Sequence, residues 1–177
     1  MKKIPAFEIA LSAVACAVAT LFLTLGVLNN FLLATGYIVA CFALMLPLAK
    51  GFIWGNVLAY IATALLTFLL GGLSFPWRLL PFVLIFGLHP LINHLQLKYR
   101  LNVWICLIAK TVWFVASLVL IWYVWCVVLG LQTSFEWLER YLLPVILIGG
   151  TLFFIFYDRL IFRCQQVIDR LVARIRK

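Results

Sequence analysis

The run from Leu79 to Leu97 leaves this chain few choices of fold. LLPFVLIFGLHPLINHLQL contains no lysine, arginine, aspartate or glutamate. At ~1.5 Å per residue it is long enough to cross a bilayer as a helix. It runs into His94, Lys98 and Arg100, a positive cluster that the positive-inside rule keeps in the cytoplasm. The segments before and after can be threaded back and forth across a membrane from that anchor.

Composition agrees. Of 177 residues, 67% are hydrophobic and 11% charged, and the mean hydropathy is +1.20. A soluble domain is about half apolar and about a quarter charged. The expected class is therefore an all-α integral membrane protein with little chain left for a soluble domain. The net charge of +9 does not point to nucleic acid, because the bases sit between apolar runs and at the C-terminus, as topology signals do. Cys16, Cys41, Cys106, Cys126 and Cys164 form no C-x-x-C, and four lie inside apolar runs, as small buried hydrophobes do. Cys16 follows Ala13-Val14-Ala15 in the manner of a lipoprotein cleavage site. Glu8 interrupts the preceding run and apolar sequence continues to Leu25, so a retained first span is expected rather than a cleaved signal.

Six spans follow: Phe7 to Gly26, Phe31 to Ala49, Gly51 to about Leu70, Leu79 to Leu97, about Thr111 to Gly130, and Tyr141 to Tyr157. Asn29-Asn30, Gly71 to Arg78 and Leu131 to Arg140 form the outer turns. Pro90 should kink span four by leaving the Phe86 carbonyl without its donor. Leu101 to Gly130 is too long for one straight span. Asn102 to Ala109 is therefore expected at the cytoplasmic interface, with Lys110 snorkelling to the headgroups. The chain divides into a six-span domain, 1–157, and a cytoplasmic amphipathic helix, 158–177. In that helix Leu160, Ile161, Cys164, Ile168, Leu171, Val172 and Ile175 follow helical spacing opposite Arg159, Arg163, Arg170, Arg174 and Lys177. Such a helix rests on an anionic inner leaflet or meets a cytoplasmic partner. With both ends inside, twelve of the fourteen Lys and Arg residues fall on the cytoplasmic side, leaving Arg78 and Arg140 outside. That asymmetry predicts an N-in, C-in bundle.

Little catalytic chemistry is present. The two histidines have no acidic residue near them in sequence, so no metal site or cofactor is expected. Glu8 and Asp158 fall at span edges and Glu136 and Glu139 in an outer loop, which leaves no deep carboxylate of the kind a proton-coupled carrier uses. No Walker motif, nucleophile elbow, H-E-x-x-H, paired carboxylate or inverted repeat is found, and no enzyme is expected. Polar and aromatic residues gather instead at the outer end. Asn30, Trp77, Arg78, Trp122, Trp125, Glu136 and Trp137 can approach one mouth, either as an interfacial aromatic belt or as a site that stacks a flat, partly polar small molecule. Span one carries small residues spaced by four, Ala13/Ala17 and Ser12/Cys16 among them. They let another helix approach closely, within this bundle or on another subunit.

The Ala-rich first helix (ALSAVACAVAT), the six spans, the aromatic outer loops and the basic amphipathic tail together resemble the substrate-binding S components of energy-coupling factor vitamin transporters. The resemblance implies a small-molecule (vitamin-like) ligand bound near the outer surface of a bacterial cytoplasmic membrane. It also implies docking of the first span on a transmembrane coupling subunit driven by two ATPase subunits. No residue set matches the riboflavin, thiamin, biotin or folate binders. FGLHPLINHLQLKY with Lys110 downstream also resembles small uncharacterised six-span proteins. The rod-shape membrane protein MreD, similar in size and span number, is a second resemblance, and implies a membrane scaffold with no ligand.

Overall fold

The computed structural model describes residues 6–130 and 144–175, which are almost wholly helical with no strand among them. Six stretches are long and apolar enough to cross a membrane: Ala6–Leu28, Asn30–Leu48, Ile53–Gly72, Pro76–Lys98, Val103–Cys126 and Val145–Arg174. Their regular helices are α1 (Ala6–Leu28), α2 (Leu33–Leu48), α3 (Ile53–Thr67), α4 (His89–Lys98), α5 (Val103–Tyr123) and α6 (Gly150–Ile175).

Local chemistry sets the joints. The Asn29 side chain accepts from the Phe31 N–H at 3.0 Å, an N-cap that starts the short turn into α2. The Asn102 side chain likewise accepts from the Trp104 N–H at 2.9 Å and opens α5. The fourth span is segmented into a 3₁₀ turn (Pro76–Leu79), a π-type turn (Phe82–Phe86) and then α4. Pro90 occupies the first turn of α4, where its missing N–H costs no hydrogen bond. The expected interior kink is therefore a break at Gly87-Leu88. No break falls between Ala109 and Thr111, so the expected interfacial segment is part of α5. α6 likewise runs without interruption across residues 157 and 158.

Helix α1 packs on α2 at backbone range. A Cβ on Gly36 would sit 2.7 Å from the Phe22 carbonyl oxygen and 3.3 Å from the Gly26 Cα. Glycine at both places lets the two helices meet without side chains between them. Leu23, Val27, Tyr37, Leu44 and Phe82 fill the core beside this contact, and Cys41, Ile85, Phe114, Phe154 and Tyr157 fill a second core toward α5 and α6. Leu58, Trp104, Ile108, Val112 and Phe156 are each more than 60% exposed, a surface compatible with lipid contact.

Candidate functional site

Three spans meet at the end of the bundle that carries Asn30, Trp77 and Trp125. They enclose a cavity of about 370 Å³, lined by Asn30, Leu33 and Tyr37 from the second span, Trp77, Arg78 and Pro81 from the fourth, and Ile121 and Trp125 from the fifth. The size lies within the range of small-molecule sites. Indole and phenol rings form its walls, and among the described residues one cation, Arg78, lies in its lining.

Arg78 is held by its surroundings. Its Nη1 donates to the Val27 carbonyl of α1 at 2.7 Å, and its Cζ lies 3.9 Å from the centroid of the Phe75 ring, a cation–π contact. The Tyr37 hydroxyl donates to the Arg78 carbonyl, which ties the Pro76–Leu79 turn to α2. Tyr37 in turn stacks on Phe86, with ring centroids 5.1 Å apart and planes 11° from parallel. Trp77 packs edge-on against Phe75 at 5.8 Å. The polar wall of the cavity is thus fixed by hydrogen bonds to the first and second spans.

A second polar group lies deeper in the bundle, where α4, α5 and α6 meet. Lys110 Nζ donates to Asp158 Oδ1 at 2.5 Å and to Asn93 Oδ1 at 2.9 Å. His89 Nε2 approaches the same Asp158 oxygen to 3.0 Å, though off the line of a good hydrogen bond, so the contact is electrostatic rather than aligned. His89, Asn93, Lys110 and Asp158 are all buried. A void of about 20 Å³ borders His89, Lys110 and Trp113, room for one water. Lys110 and Asp158 are therefore turned inward between the helices, where each neutralises the other, rather than outward as their sequence neighbours suggest. The expectation that no carboxylate lies deep in the bundle is corrected by the same pair. Lys110 alone in the apolar run of α5 was the available signal, but Asp158-Arg159 reads in sequence as a solvent boundary.

Of the outer residues singled out in sequence, Asn30, Trp77, Arg78 and Trp125 line the one cavity. Trp122 does not; it is partly buried and its Nε1 has no hydrogen-bond partner. Glu136 and Trp137 lie outside the described residues. Tyr37, Leu33, Pro81 and Ile121 complete the wall, and only their place one or two turns from the Asn30, Trp77 and Trp125 positions could have nominated them. The small face of α1 divides in two. Ser12 Oγ would lie 2.3 Å from a Cβ on Gly55 and Cys16 Sγ lies 3.8 Å from Thr63 Oγ1, so both turn toward α3 rather than outward. Ala13 and Ala17 are exposed. Among the described residues no group of three or more His, Cys, Asp or Glu side chains is placed to hold a metal ion.

No protein-family model, curated protein or solved structure matches the chain.

Proposed function

We propose that this protein is a binding subunit of a bacterial cytoplasmic membrane that takes a flat, partly polar metabolite at its outer mouth and has no enzymatic step of its own. The observation that carries the reading is the meeting of Asn30, Trp77, Arg78 and Trp125, from three spans, around one cavity of about 370 Å³. Aromatic walls with a few fixed polar groups are what a site needs to stack a planar molecule and set its orientation. The Lys and Arg asymmetry supports an N-in, C-in arrangement, which turns this end outward. The exposed Ala13 and Ala17 supply a smooth strip on α1 where the helix of a coupling subunit fits closely. In this reading the subunit works with that partner and two ATPases, as the resemblance to energy-coupling factor S components implies, and its basic tail lies on the inner leaflet.

A thermal-shift screen of the purified full-length protein against vitamins, nucleobases and amino acids tests the reading. A ligand that binds only the folded state raises the melting temperature by mass action. At least one compound is expected to do so, with a change in intrinsic fluorescence from the indoles near the site. If no compound shifts the melting temperature and Trp77→Ala and Trp125→Ala alter stability alone, these rings are an interfacial belt and the scaffold reading replaces this one.

A further inference from the structure

Among the described residues the outer cavity carries one formal charge, and its setting says what the ligand must bring. Arg78 is the cation on its wall, and among the described residues no aspartate or glutamate lines it. Among the described residues Arg78 forms no ion pair, in contrast to Lys110 and His89, which share Asp158. Its recorded hydrogen bond runs from Nη1 to the Val27 carbonyl, whereas a guanidinium has five N–H donors in a planar fork. The Phe75 ring covers one face at 3.9 Å, which leaves the edge of the fork for an acceptor. Neutral carbonyl and ring contacts hold the group in place without cancelling its charge.

We propose that the ligand is a planar aromatic or heteroaromatic carboxylate, its anion held by the Arg78 fork and its ring stacked within the cavity bounded by Trp77, Trp125 and Tyr37. This deepens the binding-subunit reading and rests on it. The carboxylate is favoured over a neutral polar group because a fixed guanidinium matches two carboxylate oxygens at once. Such a charge-assisted pair gains strength where the cavity walls exclude water. The ring is favoured over an aliphatic chain because the cavity presents three aromatic side chains. Asn30 is the second polar side chain on the wall, and its amide can bond a ring heteroatom or substituent.

The test uses matched acid and amide pairs on the full-length protein in detergent: nicotinate with nicotinamide, indole-3-acetate with indole-3-acetamide, and 4-aminobenzoate with its amide. Tryptophan fluorescence titrations and melting temperatures are read at low and high salt. At least one acid is expected to bind at least tenfold more tightly than its amide. Arg78→Gln should remove that preference, leaving acid and amide equal, and Arg78→Lys should restore only part of it. Should Arg78→Gln fail to fold, raising the salt concentration on the unaltered protein must narrow the gap between acid and amide. If an amide, or another neutral compound from the broad panel, binds as well as any acid, or if the preference survives Arg78→Gln, the carboxylate assignment is wrong while the cavity remains a binding site. If nothing in either panel binds, the binding-subunit reading falls and this inference with it.

Discussion

Arg78 and Lys110 are both lone cations in apolar stretches, and they come to opposite ends. Lys110 lies within the bundle against Asp158 and donates also to Asn93 Oδ1, while His89 approaches the same carboxylate. It links α5 to α4 and α6, and the space beside it holds about one water. Arg78 meets carbonyl oxygen and an aromatic face instead, next to a cavity nearly twenty times larger. A buried cation with a carboxylate partner acts on the fold. A cation fixed by neutral contacts beside a cavity keeps its charge for something else. Within one small bundle, the location of the second charge separates a structural tie from what we propose is a recognition group.

The largest expected effect is at the tie. Lys110→Met leaves Asp158 buried without its cation, and breaking a buried pair in this way costs about 3–5 kcal/mol. Thermal or chemical unfolding in detergent reads this loss. The double change Lys110→Met with Asp158→Leu should recover most of it, because apolar groups of similar volume replace buried pairs at little cost. A full loss in the double variant would mean the polar atoms do more than neutralise one another.

Next in size is the close approach of α1 and α2, one residue from the cavity wall. Gly36→Ala puts a Cβ 2.7 Å from the Phe22 carbonyl oxygen, and backbone on both sides leaves no side chain to swing away. A loss of about 1–3 kcal/mol is expected from the same unfolding measurement. An unchanged stability would show that the two helices slide apart freely.

At the cavity the readout changes from stability to affinity. Trp125→Ala and Trp77→Ala should each lose about 1–3 kcal/mol of binding to the best compound of the screen, the range for truncating a packed aromatic anchor. Trp125 is 49% exposed, so its truncation should leave stability nearly intact. Equal losses of stability and affinity would erase the contrast with Lys110. The smallest effect falls on α1: Ala13→Leu should change stability by less than about 0.5 kcal/mol, as exposed substitutions do, while copurification with the proposed coupling subunit is weakened. Destabilisation without any change of partner would place Ala13 in an internal contact.

The six helices were legible in the sequence, because apolar run length and turn residues dictate them; of the outer residues, Asn30, Trp77, Arg78 and Trp125 line one cavity and Trp122 does not. The Asp158–Lys110 pair was not legible. Local context places a charge at a membrane edge whenever it stands beside another charge, as Asp158 does beside Arg159, and only the packing of α5 on α6 shows that it points inward. The same limit explains Ser12 and Cys16. Spacing by four marks a small face on a helix, and it takes the neighbouring Gly55 and Thr63 to show which side of that face is already occupied. Pro90 was misplaced because a proline inside a long apolar run and a proline opening a new helix look alike until the break at Gly87-Leu88 is seen.

The most direct test of the contrast is a pair of binding isotherms recorded side by side by tryptophan fluorescence, using the compound that gives the largest thermal shift. Arg78→Gln is compared with the double variant Lys110→Met with Asp158→Leu, each in folded, monodisperse preparations. If Arg78 serves recognition and Lys110 serves the fold, Arg78→Gln weakens binding at least tenfold with its melting temperature little changed, and the double variant binds as the unaltered protein does. The opposite pattern, with binding intact in Arg78→Gln and lost in the double variant, would contradict the account and move the ligand site from the cavity to the interior cluster.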